Sequence, residues 1–223
     1  MKIILDFYVF VRLIMTIPAQ KSFRCEILSW NKIIRDAKTL AKLVKQSGYK
    51  PDIVIAIGRG GYVPARIVCD YLMLRDLTSI KAEHWGSAAL ERKEAIIKFP
   101  LCTDIKGKKV LLVDDVTDTG RTLIVCLEYL KGFAPGEIRT AILIHKTCSE
   151  IVPDYYVNKI VKWKWLIFPW HVWEDLNGFI KRLKDTGITN EEEIKGELQK
   201  RYSLDLKTET IREVLSELGA AVL

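Results

Sequence analysis

Residues Val110 to Leu123 read VLLVDDVTDTGRTL. The opening run is apolar without alternation, the pattern of a strand covered on both faces, and with its flanks it predicts a strand over Lys109–Asp115. Thr117, Asp118, Thr119 and Gly120 then supply turn chemistry. Apolar positions 123, 126, 127 and 130 predict a helix over Gly120–Lys131. A buried strand thus delivers two adjacent carboxylates, Asp114 and Asp115, to the start of a helix. The turn and helix N-terminus offer backbone N–H groups, threonine hydroxyls and the positive helix end, which suit a phosphate monoester. The carboxylates would repel phosphate, but as pure acceptors they match sugar hydroxyls. Phosphate on one side and hydroxyls on the other describe a ribose 5-phosphate.

Upstream, FRCEILSW at 23–30 predicts a short strand. Asn31–Gln46 predicts a helix with apolar positions at 33, 37, 40, 41 and 44, closed by Gly48. Asp52–Ile57 predicts a buried strand. Gly58-Arg59-Gly60-Gly61 follows, with a helix from about Pro64 to Leu74. That turn is neither a dinucleotide fingerprint, because Val63 takes the last glycine position, nor a Walker loop. Its glycines still let backbone N–H groups approach an anion closely. Strands are also predicted at 79–84, 95–99 and 138–144, while 85–95 is ambiguous between loop and helix. Strands alternating with helices predict an α/β fold with a mainly parallel sheet flanked by helices. Past Pro153 the pattern changes. Trp163, Trp165, Trp170 and Trp173 lie within eleven positions, and two helices are predicted at about 190–201 and 208–218.

The chain has 223 residues, 49% hydrophobic, enough for one large domain, with or without an appendage, and inconsistent with a disordered class. Residues 1–184 hold 30 basic and 19 acidic side chains, a net of +11, while 185–223 hold 5 and 9, a net of −4. The main body therefore suits an anionic ligand. No Arg/Lys-rich arm points to nucleic acid. Cys25, Cys69, Cys102, Cys126 and Cys148 are scattered, which predicts reduced thiols and a cytoplasmic protein. With His84, His145 and His171 the only histidines, a histidine metal site is not expected. Residues 3–17 are apolar but carry Asp6 and Arg12. They are too short and polar to span a membrane, and they lack a good cleavage site. Translation from Met15 or a short accessory strand is the expectation there.

Residues 110–123 resemble the phosphoribosyl pyrophosphate (PRPP) signature of type I phosphoribosyltransferases, and 56–61 resembles that family's pyrophosphate loop. The likeness covers about residues 23–172. Lys146, directly after the strand Ala141–His145, and the stretches Asp154-Tyr155-Tyr156 and Trp165–Trp170 narrow it to the 6-oxopurine enzymes, xanthine-guanine and archaeal purine branch. The resemblance implies the family fold with a C-terminal hood, and a reaction of guanine, hypoxanthine or xanthine with PRPP in purine salvage. It implies Asp118 as general base beside N7 of the purine. Asp114 and Asp115 would hold ribose hydroxyls and Mg²⁺. Thr117, Thr119, Gly120, Arg121 and Thr122 would cradle the 5-phosphate, and Arg59, Gly60 and Gly61 the pyrophosphate.

Lys146 would bond the 6-oxo group, with Trp165 stacking on the base and Leu166 beside it. A non-proline cis peptide before Arg59 and a mobile lid over Trp85–Ile96 are also implied. Where the hood of that branch carries Glu, this chain has Ile167 and Phe168, and His171 replaces an Asp. The residue reading the purine 2-position is therefore open. The expected segments are an N-terminal extension (1–22), a core with hood (23–177) and a helical C-terminal extension (178–223). The expected assembly is a homo-oligomer that engages neither membrane nor nucleic acid. The competing reading is a PRPP-binding regulator of the same fold without transferase activity. The net negative charge of the C-terminal helices speaks against their reading DNA. A pyrimidine substrate is disfavoured by Lys146 and the tryptophan-rich hood.

Overall fold

The computed structural model describes residues 22–85 and 91–220. Among the described residues two compact units emerge, one within residues 28–163 and one joining residues 22–27 with 164–220.

The larger unit is built on a six-stranded sheet. Its strands are β2 (Ile53–Gly58), β3 (Leu77–Trp85), β4 (Glu91–Phe99), β5 (Lys109–Thr117), β6 (Glu137–Lys146) and β7 (Tyr155–Ile160), in the order β4-β3-β2-β5-β6-β7. All neighbours are parallel except β3 and β4. Every residue of β2 is buried, as its unbroken apolar run predicts. Alternation sorts the side chains by face. Ile53, Ile55, Ile57, Val110, Leu112 and Ile142 pack with Leu123, Cys126 and Leu130 of helix α3 (Arg121–Lys131). Helices α1 (Trp30–Gln46) and α2 (Tyr62–Leu72) pack on each other, α1 also against β6 and β7 and α2 against β2 and β5. Ile33, Ala37, Leu40, Ala41 and Val44 are the buried stripe of α1, the positions its period singles out. Ser29 caps that helix, its Oγ accepting from the Lys32 N–H at 3.3 Å.

The chain runs outward from β2 to β3 and β4 on one side, and from β5 to β6 and β7 on the other. The ends of β2 and β5 therefore form a topological switch point, the place where ligands bind in open α/β sheets.

Within the stretch read as loop or helix, Trp85 and residues 91–95 are strand. Trp85 ends β3, and Glu91 to Ala95 belong to β4, with Trp85 opposite Glu91. Inter-strand hydrogen bonds order a stretch that has no periodicity of its own. The centre of the expected lid, 86–90, lies outside the described residues, as does 1–21 of the N-terminal extension.

In the smaller unit, the expected strand at 23–30 is limited to β1 (Cys25–Ile27), because Trp30 already begins α1. It pairs in parallel with β8 (Trp165–Ile167). Helices α4 (Val172–Asp185), α5 (Glu191–Tyr202) and α6 (Thr208–Ala220) complete the unit. Its aromatic core joins Phe23, Phe179 and Tyr202, the last two stacked with centroids 4.5 Å apart. Helix α4 is additional to the helices expected from the sequence, and it runs unbroken across residue 177, where the sequence suggests a segment boundary.

Candidate functional site

The loop after β2 turns tightly. The peptide between Gly58 and Arg59 is cis, as the resemblance implies. The Gly61 N–H donates to the Ile57 carbonyl at 2.8 Å, and Gly61 leads into α2. Glycine is required at 61 by close approach. A methyl group there would overlap the Val113 carbonyl oxygen and come within 2.7 Å of that of Ile57. At Gly60 a methyl group would overlap the Asp115 carboxylate. The loop after β2 thus lies against the end of β5, and Arg59 stands exposed on that loop.

Asp114 and Asp115 close the buried part of β5, at 9% and 7% exposure. The Asp114 carboxylate accepts the Asp115 N–H at 2.9 Å. Burial, and then the neighbouring Asp115 charge, push the Asp114 carboxyl well above the ordinary carboxylate range.

In the following turn Gly120 adopts φ +87°, which glycine accommodates without strain, and α3 begins at Arg121. Arg121 is exposed and Thr119 and Thr122 are half-buried, around a helix start whose first N–H groups lack helical acceptors. Thr117 differs from them. It is 3% exposed, and its hydroxyl shares a 3.0 Å hydrogen bond with Nδ1 of His145 on β6. Residues after β6 brace the turn. The Glu150 N–H donates to the Thr119 carbonyl at 2.9 Å, and the Glu150 carboxylate faces the Arg121 guanidinium at 3.6 Å.

Register then brings the expected base and the expected purine lysine together. Thr117 pairs with His145, so Asp118 and Lys146 emerge side by side from β5 and β6. Lys146 Nζ donates to Asp118 Oδ2 at 2.5 Å, with the side chains 3% and 7% exposed. Burial pushes the Lys146 ammonium below the usual lysine range, and the Asp118 carboxylate opposes that shift. Two further groups converge that the sequence does not predict. Trp163 Nε1 donates to Asp118 Oδ1 at 2.9 Å, and Cys148 Sγ lies 3.5 Å from the same oxygen. The Trp163 ring also receives the Lys146 ammonium 4.8 Å from its centroid. The only sequence signal for Trp163 is its membership in the tryptophan cluster. His145 has none beyond its place before Lys146.

Trp165 and Leu166 stand on β8 in the smaller unit, Trp165 half-buried and Leu166 buried. The structure therefore joins Asp118 to Lys146 and Gly60 to Asp115 within the larger unit.

Paired carboxylates, a threonine- and glycine-containing turn at a helix start and a glycine loop thus meet at one switch point of an α/β sheet. The chain belongs to the phosphoribosyl transferase family: the family profile described as phosphoribosyl transferase domain matches residues 24–175. Xanthine-guanine phosphoribosyltransferase of Ruegeria sp. is 34% identical over 165 residues, spanning 69% of this chain and 88% of that protein. The enzyme of the same name from Cereibacter sphaeroides is 32% identical over 162 residues, covering 69% and 89%. Among solved structures, the purine phosphoribosyltransferase of Pyrococcus horikoshii matches with a TM-score of 0.58 at 35% identity, over 66% of this chain and 93% of that one.

Proposed function

We propose that this protein transfers the phosphoribosyl group of PRPP to a 6-oxopurine, forming a nucleoside 5-monophosphate and pyrophosphate. The observation that carries this reading is the buried contact of Lys146 with Asp118 beside the phosphate-type turn. An ammonium only donates and a carboxylate only accepts. Side by side they match the adjacent 6-oxo and N7–H of the purine edge, and they mismatch the 6-amino group of adenine. The relatives named for xanthine and guanine lend the same support.

In the reaction a purine nitrogen bonds to C1 of the ribose as the bond from C1 to the pyrophosphate oxygen breaks. The bonding electrons leave with pyrophosphate. Asp118 takes the proton from N7, which keeps electron density on the attacking ring. Lys146 holds the 6-oxo group, and Asp114 and Asp115 hold ribose hydroxyls. Thr119, Gly120, Arg121 and Thr122 receive the 5-phosphate; the buried Thr117 contributes its backbone, since its hydroxyl serves His145. Arg59, Gly60 and Gly61 receive the pyrophosphate.

Among the described residues no cluster of three or more His, Cys, Asp or Glu could hold an ion alone. The donor set fits magnesium, which binds through one or two carboxylates plus substrate oxygens, with Asp114 and Asp115 as those ligands. When bound, the ion neutralises charge on the departing pyrophosphate.

The stacking role that the resemblance gives Trp165 belongs to the same proposal. Trp165→Ala should weaken guanine, hypoxanthine and xanthine alike, by about 1–3 kcal/mol in KM-derived affinity. A cytoplasmic homo-oligomer is also part of it. Light scattering against the 25.6 kDa chain mass tests the assembly.

The deciding assay incubates the protein with PRPP, Mg²⁺ and each of guanine, hypoxanthine, xanthine, adenine and uracil. Nucleotide and pyrophosphate should form with 6-oxopurines and scarcely with adenine. Adenine turning over as fast as guanine would overturn the base assignment. PRPP binding without product from any base would make the chain a regulator.

A further inference from the structure

The Asp118 carboxylate is crowded. Oδ2 receives Lys146 Nζ at 2.5 Å and Trp163 Nε1 at 3.3 Å. Oδ1 receives Trp163 Nε1 at 2.9 Å and lies 3.5 Å from Cys148 Sγ. A carboxylate has about four lone-pair directions, and three donors share them, the one Trp163 N–H lying between both oxygens. On the reading that Asp118 takes the purine N–H, that N–H competes with the indole N–H of Trp163 for the carboxylate.

The three partners are not equally buried. Lys146 is 2% exposed, closes strand β6, and is itself needed for the 6-oxo group. Cys148 is a weak donor at long range. Trp163 is 38% exposed, and Val161 beside it is 78% exposed, on the short link between β7 and β8. One of its contacts also copies the ligand. A bicyclic heteroaromatic ring presents an N–H to Asp118, as the imidazole ring of a purine would, with its face toward the Lys146 ammonium.

We propose that Trp163 is a positioning residue that gates the purine edge. Its indole keeps Asp118 and Lys146 paired in the absence of base, and a 6-oxopurine binds by displacing it. The gate rests on the 6-oxopurine reading above. Its consequence is a lowered apparent affinity for the base, because only the fraction of molecules with the indole withdrawn can accept one.

Trp163→Phe removes the N–H and keeps an aromatic face. Steady-state kinetics with hypoxanthine and guanine should show the purine KM falling by about three- to tenfold, with a smaller change in the PRPP KM. The effect should sit in KM rather than kcat. A purine KM that rises, as loss of a stacking partner would give, or that stays within twofold, overturns the gate.

A second measurement uses the unmutated protein. In ¹⁵N-labelled protein the indole resonance missing from Trp163→Phe identifies Trp163. It should exchange slowly with solvent, and it should shift in Asp118→Asn. It should also move on addition of hypoxanthine with ribose 5-phosphate and Mg²⁺, a mixture that cannot complete transfer. An indole signal unmoved by that mixture overturns the gate; if Trp163→Phe fails to fold, the indole resonance that shifts in Asp118→Asn identifies Trp163 instead. Absence of transfer to every 6-oxopurine in the wild type would instead defeat the purine reading, whatever Trp163 does.

Discussion

Asp118 is held by donors from two other segments, so its removal reads both chemistry and stability. On the proposed mechanism, Asp118→Asn keeps the shape but loses the base. Turnover should fall about 10²–10⁴-fold with PRPP affinity largely kept, measured by initial rates and calorimetry. Turnover within about threefold of wild type would place the base elsewhere. His145 makes a separate prediction. Burial, and then the positive charge of Lys159, lower its pKa below 6.5, so the folded protein favours the neutral ring that meets Thr117. The unfolded chain therefore binds the proton first as pH falls. The stabilisation is complete above the unfolded value and is lost as pH drops from there toward the folded one. Urea unfolding at about pH 7.5 and about pH 5.5 should show a larger loss for wild type than for His145→Asn. Equal losses would remove His145 from the pH dependence.

At the scale of elements, the loop after β2 is seated against β5 by contacts that glycine permits. Gly61 faces backbone carbonyls of Val113 and Ile57, which cannot move without shifting β5 or β2. Gly61→Ala should lower the melting temperature by several degrees, the effect of about 1 kcal/mol or more in a domain this size. Gly60 faces the end of the Asp115 side chain, which can rotate. Gly60→Ala should keep the melting temperature near wild type and weaken PRPP binding by displacing that carboxylate. Scanning calorimetry and titration with PRPP separate the two. Wild-type PRPP affinity in Gly60→Ala would dissociate the glycine loop from the carboxylate pair.

Across the molecule the charge is unequal, +11 over residues 1–184 and −4 beyond. PRPP is strongly anionic, and a positive field raises its encounter rate in a salt-dependent way. Raising ionic strength from about 0.02 M to about 0.2 M should lower kcat/KM for PRPP severalfold. It should leave kcat/KM for the uncharged purine nearly unchanged. Equal salt sensitivity of both substrates would mean that the field does not steer PRPP.

The strand, turn and helix of residues 109–131 are legible in the amino-acid sequence, and with them Asp114, Asp115 and the phosphate turn. Apolar runs, turn residues and helical spacing are properties of neighbours in the chain. Helix α4 carries such a signal in Leu176, Phe179, Ile180 and Leu183, but the tryptophan cluster that runs into its first turn obscures where it begins. Other features have no local signature. Residues 91–95 become strand through pairing with β3, and β1 pairs with β8 from the far end of the chain. Lys146 reaches Asp118 from 28 positions away, and Trp163 from 45. Those meetings depend on the parallel register of β5 and β6 and on the chain's return past β7. Distant backbone hydrogen bonds and shared burial set that register, and no short stretch of residues encodes either.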